Sequence, residues 1–101
     1  MKNNMYITKL THFLDDTGNI PQEMAKEAQE FGYFLASLVE AATREYPEYV
    51  CCTDIGCKKC DSSIITELRD ENKEILWGCG DCDFEGTISD WQGTKWDCRD
   101  R

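Results

Sequence analysis

The spacing of apolar residues in the first half of the chain predicts one helix. Apolar side chains recur every three or four residues and so share one helical face: Met24, Ala28, Phe31, Leu35, Leu38, Val39 and Ala42. Pro21 suits the first helical position, where no N–H partner is needed, and Pro47 cannot continue a helix. We therefore predict a helix from Pro21 to about Glu45, about 40 Å long at 1.5 Å per residue.

The second half of the chain alternates apolar and polar residues, which is typical of half-buried strands. This pattern predicts two hairpins: residues 62–68 with 73–78 around a turn at 69–72, and residues 84–91 with 94–97 around Gln92 and Gly93. Before the helix, residues 5–14 predict a short extended segment, and residues 15–19 have the composition of a turn.

All seven cysteines lie in the second half, and four of them form a metal-site pattern. Two residues separate Cys57 from Cys60 and Cys79 from Cys82, and eighteen residues lie between the pairs. Zinc sites use this spacing because a tight turn presents two thiolates to one ion, and two turns complete a tetrahedron. The residues between the pairs suffice for a β-hairpin that brings the turns together. We predict a structural Zn²⁺ site with these four cysteines as ligands.

The two cysteine turns also repeat each other as Gly-Cys-x-x-Cys-Asp, at residues 56–61 and 78–83. Metal-binding turns often need a left-handed residue after the second cysteine, and Asp61 and Asp83 tolerate that conformation. On these motifs, residues 49–98 resemble a zinc ribbon, in which a hairpin joins two metal-binding turns. The resemblance implies a structural metal and no particular process, because ribbons serve in many kinds of protein.

This resemblance completes the expected fold, which is α+β. A long N-terminal α-helix in residues 1–47 is expected to pack with a C-terminal β-rich zinc ribbon in residues 48–101. At 101 residues the two parts are expected to form one compact unit. Residues 77–97 also resemble small uncharacterised bacterial proteins, and that resemblance implies no activity.

Other uses of the cysteines stay open. Iron could occupy the same four residues as in rubredoxins, although rubredoxin turns lie further apart along the chain. A plant-type [2Fe–2S] spacing would use Cys52 and leave Cys82 unexplained. Thioredoxin-like redox chemistry needs only one C-x-x-C but expects a βαβ context. Adjacent strand residues face opposite sides, so Cys51 and Cys52 cannot both approach the metal; we predict that they and Cys98 are not ligands.

The charge of the chain bears on its partners. There are 11 basic and 20 acidic residues, for a net charge of -9. Affinity for a phosphate backbone comes from lysine and arginine, so this composition argues against a nucleic-acid partner. No apolar run approaches the roughly 20 residues of a membrane span. The first residues lack a hydrophobic signal core, so the chain is expected to be cytoplasmic.

We expect no enzyme, because four thiolates leave zinc no open position and no nucleophile or phosphate-binding motif is present. The expected function is a protein-interaction or adaptor module, with a homodimer through the helix Met24–Ala42, whose stripe exceeds what a ribbon covers. One alternative is a nucleic-acid-binding ribbon in transcription or translation, with Lys58 and Lys59 contacting phosphate. The other is a rubredoxin-like iron electron carrier.

Overall fold

The computed structural model describes residues 5–46, 48–69 and 73–99. Its regular elements, in chain order, are strand β1 (Met5–Lys9), a 3-10 turn (Leu10–Phe13), helix α1 (Lys26–Arg44), and strands β2 (Val50–Gly56), β3 (Ser63–Arg69), β4 (Glu74–Cys79) and β5 (Glu85–Ser89). The strands form one sheet in the order β1-β5-β4-β3-β2. β1 is parallel to β5, and the other neighbouring strands are antiparallel.

The α+β class fits, but the expected pairing of a long N-terminal helix with a C-terminal ribbon is wrong. β1 comes from the N-terminal segment and pairs with β5, in the same sheet as the strands of the second half. α1 follows this strand and has 19 residues, which is about 28 Å rather than 40 Å. In the part of the chain that the structure describes, one α-helix therefore lies on one mixed sheet, to which both halves contribute strands.

The late start of α1 has a local cause. Ala25 has an extended backbone, with φ -53° and ψ 144°, and so it interrupts any helix that would begin at Pro21. The Pro21 carbonyl accepts a hydrogen bond from the side-chain amide of Gln29 at 3.1 Å, where a longer helix would use a backbone N–H. α1 ends at Arg44, and Pro47, the expected terminator, lies outside the described residues.

One face of α1 packs on one face of the sheet, which we call the inner face. The helix buries these residues: Gly32, Phe34, Leu35, Ala36, Leu38, Val39, Ala42 and Thr43. The alternation of β3 and β4 buries Ile64, Thr66, Leu68, Ile75 and Trp77 opposite them. Val39 and Ala42, at the C-terminal end of the predicted stripe, are 0% and 2% exposed within a single chain. The sheet of the same chain therefore covers that part of the stripe.

The segment after β5 is not the strand that the sequence predicts. Residues 92–96 form consecutive turns, in which Thr94 donates its N–H to the carbonyl of Trp91 and Asp97 donates to Thr94. The edge of β5 that a second hairpin would use is occupied by β1. The indole N–H of Trp96 donates to the Gly18 carbonyl at 3.1 Å. The C-terminal segment is thus held against the loop that follows β1.

Several local expectations agree with the structure. β3 and β4 form the predicted hairpin, although most of its turn, residues 70–72, lies outside the described residues. The predicted turn at residues 15–19 is closed by Asp15, whose carboxylate accepts hydrogen bonds from Thr17 and Asn19. These hydrogen bonds lower the pKa of Asp15, and the bond from the Thr17 hydroxyl contributes most. Among the described residues, no helix has the length and apolar character needed to cross a membrane.

Gly86 in β5 allows β1, β4 and β5 to approach one another closely. It lies opposite Tyr6 on one side and Trp77 on the other. A Cβ atom at this position would clash with the carbonyl oxygen of Tyr6 and would lie 2.8 Å from the ring of Trp77. Only glycine leaves room for the indole to lie across the strand.

We predict that Gly86→Ala lowers the free energy of unfolding by about 1–3 kcal/mol, because the added methyl group overpacks this contact. Gly80→Ala is the matched control, since a Cβ there meets no atom within 4 Å. Urea denaturation of the two variants measures the difference. Equal stabilities would contradict the close contact.

Candidate metal centre

The strand order places the two cysteine turns at the same end of the sheet. Successive turns of an antiparallel meander alternate between the two ends, so the β2–β3 and β4–β5 connections share one end. Cys57 and Cys60 lie in the first connection, Cys79 is the last residue of β4, and Cys82 lies in the second connection. The β3–β4 hairpin sets their alignment by pairing Ile64 with Cys79. The hairpin between the pairs therefore brings the turns together, as the spacing predicts.

The four sulfur atoms lie within 4.8 Å of one another. The Sγ–Sγ distances are 3.6 Å for Cys57–Cys82, 3.4 Å for Cys60–Cys79 and 3.8 Å for Cys60–Cys82. Four thiolates at about 2.3 Å from one zinc ion form a tetrahedron with edges of about 3.8 Å. A disulfide would require about 2.05 Å. The cluster therefore has the spacing of a tetrahedral four-thiolate site, a geometry that suits zinc or iron.

Backbone hydrogen bonds shape both turns in the same way. In each turn, the sulfur of the first cysteine accepts a hydrogen bond from the backbone N–H two residues later. The backbone N–H of the same cysteine donates to the carbonyl five residues later. The sulfur bonds are Lys59 to Cys57 and Asp81 to Cys79, both at 3.4 Å. The carbonyl bonds are Cys57 to Ser62 at 2.7 Å and Cys79 to Phe84 at 3.0 Å. The sequence repeat thus corresponds to a structural repeat that directs backbone N–H groups at sulfur.

The residues after the second cysteines differ between the turns. Asp61 adopts the predicted left-handed conformation, with φ 66°. Asp83 does not have a positive φ, so the left-handed conformation follows the second cysteine in the first turn and not in the second. Its carboxylate instead lies 3.9 Å from the ammonium group of Lys59 in the other turn. The hydroxyl of Ser62 also donates to the carboxylate of Asp81, so two side-chain contacts connect the turns directly.

Without a metal ion, the thiols compete for one negative charge. The backbone N–H of Ser62, followed by the thiol of Cys79, lowers the pKa of Cys60 to about 7. The backbone N–H of Phe84 lowers the pKa of Cys82, but burial and the neighbouring thiols outweigh it and raise that pKa to about 12. Burial and the Cys60 thiol likewise leave the pKa of Cys79 raised, against the bond from Asp81. A divalent cation would reverse this balance and favour four thiolates.

An aromatic cluster lies beside the cysteine turns. The ring centroids of Trp77 are 5.0 Å from Phe84 and 5.3 Å from Phe34. Lys58 and Lys59 place their ammonium groups 5.7 and 5.8 Å from the rings of Phe34 and Phe84. These lysines extend over the cluster from the first cysteine turn, where their charge would offset part of the double negative charge of a four-thiolate zinc site.

The other three cysteines lie outside the cluster of sulfurs. Cys52 is exposed on β2. Burial, followed by the charge of Glu45, raises the pKa of Cys51. The thiol of Cys98 lies 3.6 Å from the carbonyl oxygen of Trp96. A [2Fe–2S] spacing would need Cys52 inside the cluster and Cys82 outside, which is the reverse of the observed arrangement.

Comparisons with protein-family models, curated proteins and solved structures gave no match to this chain. The resemblance to a zinc ribbon therefore rests on the cysteines themselves. Their clustering is consistent with a zinc-ribbon-like site, and no family match adds to it.

We predict that Cys79→Ser abolishes metal binding and unfolds the sheet end or makes the protein insoluble. Zinc binding to small cysteine-rich domains contributes about 10–16 kcal/mol, which is comparable to the whole stability of a domain. The control replaces Cys51, Cys52 and Cys98 together by serine and should keep the metal. Elemental analysis gives the stoichiometry, and a stable, metal-loaded Cys79→Ser protein would refute the site.

We also predict a steep pH dependence of metal affinity. Cys79 and Cys82 have raised pKa values and hold their protons at neutral pH, so metal binding must displace at least these two. Each displaced proton changes the apparent affinity about tenfold per pH unit, so the affinity should fall about 100-fold or more between pH 8 and pH 7. Competition with a chromophoric chelator measures this slope, and a pH-independent affinity would argue against thiolate ligands.

Proposed function

We propose that this chain is a small zinc protein that binds another protein, with a structural four-cysteine zinc site. The observation that carries the proposal is the approach of four cysteine sulfurs to within 4.8 Å at one end of the sheet. Cys57, Cys60, Cys79 and Cys82 would hold the ion. A bound ion would fix the β2–β3 and β4–β5 connections to each other and neutralise the thiolates.

A structural role for the metal is supported by its donor set. Four thiolates complete a tetrahedron and leave no position for water or substrate, whereas catalytic zinc keeps one position open. The backbone N–H groups directed at Cys57 and Cys79 support thiolates in a fixed geometry. We therefore propose a role without catalysis at this site.

A protein partner is favoured over a nucleic acid by charge. The chain carries a net charge of -9, and a four-thiolate zinc site makes it more negative. Lys58 and Lys59 of the first cysteine turn are exposed, with their ammonium groups 5.7 and 5.8 Å from aromatic ring centroids. Two lysines against this net negative charge provide little attraction for a phosphate backbone.

The expected homodimer through α1 loses its original support. It relied on apolar patches at both ends of the stripe, but Val39 and Ala42 are buried within the same chain, and Ala28 at the other end is half-buried. Met24 lies before the helix and is half-buried. We therefore look for the partner surface elsewhere on the molecule.

Metal analysis of protein produced without added metal tests the proposal. We expect about one zinc per chain and a colourless protein, because zinc has no d–d transitions. A red protein that contains iron would show that the site is an iron centre, and electron transfer would then be the favoured function. Tight, salt-sensitive binding to DNA or RNA near physiological ionic strength would instead favour a nucleic-acid-binding ribbon.

A further inference from the structure

The sheet face opposite α1, which we call the outer face, has two continuous rows of residues that cross all the strands. Strand pairing aligns the first row as Met5, Glu85, Gly78, Ile65 and Cys52. It aligns the second row as Ile7, Thr87, Leu76, Glu67 and Val50. No described element packs over these rows, since α1 and the buried alternation of the strands occupy the inner face.

The outer face is more apolar than a solvent-facing sheet normally is. Antiparallel sheets with one solvated face usually alternate apolar-in and polar-out. Here Ile7 is 80% exposed, Val50 is 64% exposed, and Met5 and Ile65 are each 42% exposed. These residues form two exposed apolar pairs, Met5 and Ile7 on β1 and Val50 and Ile65 on β2 and β3, on either side of Leu76. Exposed apolar surface on a sheet face is typical of interaction surfaces.

A depression lies in the middle of this face. Gly78 has no side chain to fill the space between Ile65 and Glu85, its neighbours in the first row. The resulting cavity has a volume of about 270 Å³ and is bordered by Met5, Val50, Ile65, Leu76 and Glu85. It is open to solvent and lined mainly by apolar side chains, so it fits a large apolar side chain of a partner.

The dimensions of the face suit one helix better than a second copy of the chain. Five strands at about 4.8 Å spacing, each about 20 Å long, cover roughly 500 Å². A stable interface between two proteins buries about 800 Å² on each partner. A helix about 10 Å wide crosses 20 Å with about 13 residues. α1 covers the inner face in this way.

The charges on the face select the character of that helix. The two rows contain Glu67 and Glu85 and no lysine or arginine, while Lys9 and Arg69, which pair with Ser89 and Glu74, lie on the same face beside the second row. Glu67 is bound by Arg69 at 2.7 Å, whereas the side chain of Glu85 stands beside the Gly78 depression, 3.3 Å from where a Cβ of that glycine would lie. A second copy would bring another Glu85 and a further net charge of -9, and both would repel this chain. A basic segment would instead be attracted by Glu85 and by the net negative charge of this chain.

We propose that the outer face binds a basic amphipathic helix of a partner protein. The helix places a large apolar side chain in the Gly78 depression and a lysine or arginine against Glu85. This inference rests on the proposed function as a protein-binding module, and it names the surface and the chemical class of the partner.

The test uses the zinc-loaded chain and a synthetic 14-residue helical peptide with leucine on one face and lysine on the other. A second peptide carries glutamate in place of every lysine. We expect NMR shift changes centred on the two rows with the lysine peptide only. Ile65→Ser and Glu85→Gln should each weaken binding at least about fivefold, as interface hot spots do.

Matched controls distinguish binding at the outer face from nonspecific attraction to the acidic surface and from nonspecific hydrophobic binding. Tyr33→Ser removes an exposed hydrophobic residue from α1, and Glu30→Gln removes an exposed charge from α1; both should leave the affinity within twofold. Equal effects of Glu30→Gln and Glu85→Gln, or shift changes spread over the whole acidic surface, would overturn the inference. So would a dimer that Ile65→Ser dissociates, because a second copy would then occupy the face.

Failure of this inference is distinguishable from failure of the proposed function. The zinc content of every variant is measured before the titrations. A chain that holds one zinc but binds the peptide away from the outer face, or not at all, contradicts the docking surface alone. A correctly folded chain that holds no zinc contradicts the proposed function, whatever the peptide titration shows.

Discussion

The structure depends on the approach of four cysteine sulfurs at one end of an antiparallel meander. Each pair sits in a tight turn, and the β3–β4 hairpin sets the distance between the turns, so that all four sulfurs lie within 4.8 Å. Four thiolates are unfavourable there without a cation, because burial and the neighbouring thiols raise the pKa of Cys82 against the bond from the Phe84 N–H. Once a metal ion neutralises them, the same proximity becomes a cross-link between the two cysteine turns.

The rest of the fold supports this end of the sheet from the inner face. Phe34 of α1 contacts Trp77 and Phe84 beside the cysteine turns, and Gly86 leaves room for the Trp77 indole. β1 adds a parallel strand at the edge of β5, and Tyr6 of that strand contacts the same aromatic cluster. Metal binding and aromatic packing are therefore adjacent, so loosening either one should loosen the other. The outer face takes no part in this packing.

The cysteine site and the β3–β4 hairpin could be predicted because both are set by residues close together in sequence. The pairing of Met5 with Glu85 could not, since nothing local to β1 indicates a parallel partner 80 residues away. β1 occupies the edge of β5 where the predicted strand at residues 94–97 would pair, and the indole of Trp96 instead donates a hydrogen bond to the Gly18 carbonyl. The helix pattern identified the buried face but not the start of α1, because apolar spacing continues through Met24 although the backbone of Ala25 is extended. The outer face emerged only once the strand register was known.

X-ray absorption at the zinc edge of the purified protein tests the central claim most directly. Four cysteine thiolates around one zinc ion predict a single shell of four sulfur scatterers at about 2.3 Å, with no nitrogen or oxygen in the first shell. A shell with nitrogen or oxygen ligands at about 2.0–2.1 Å, or a chain whose metal is iron rather than zinc, would contradict it.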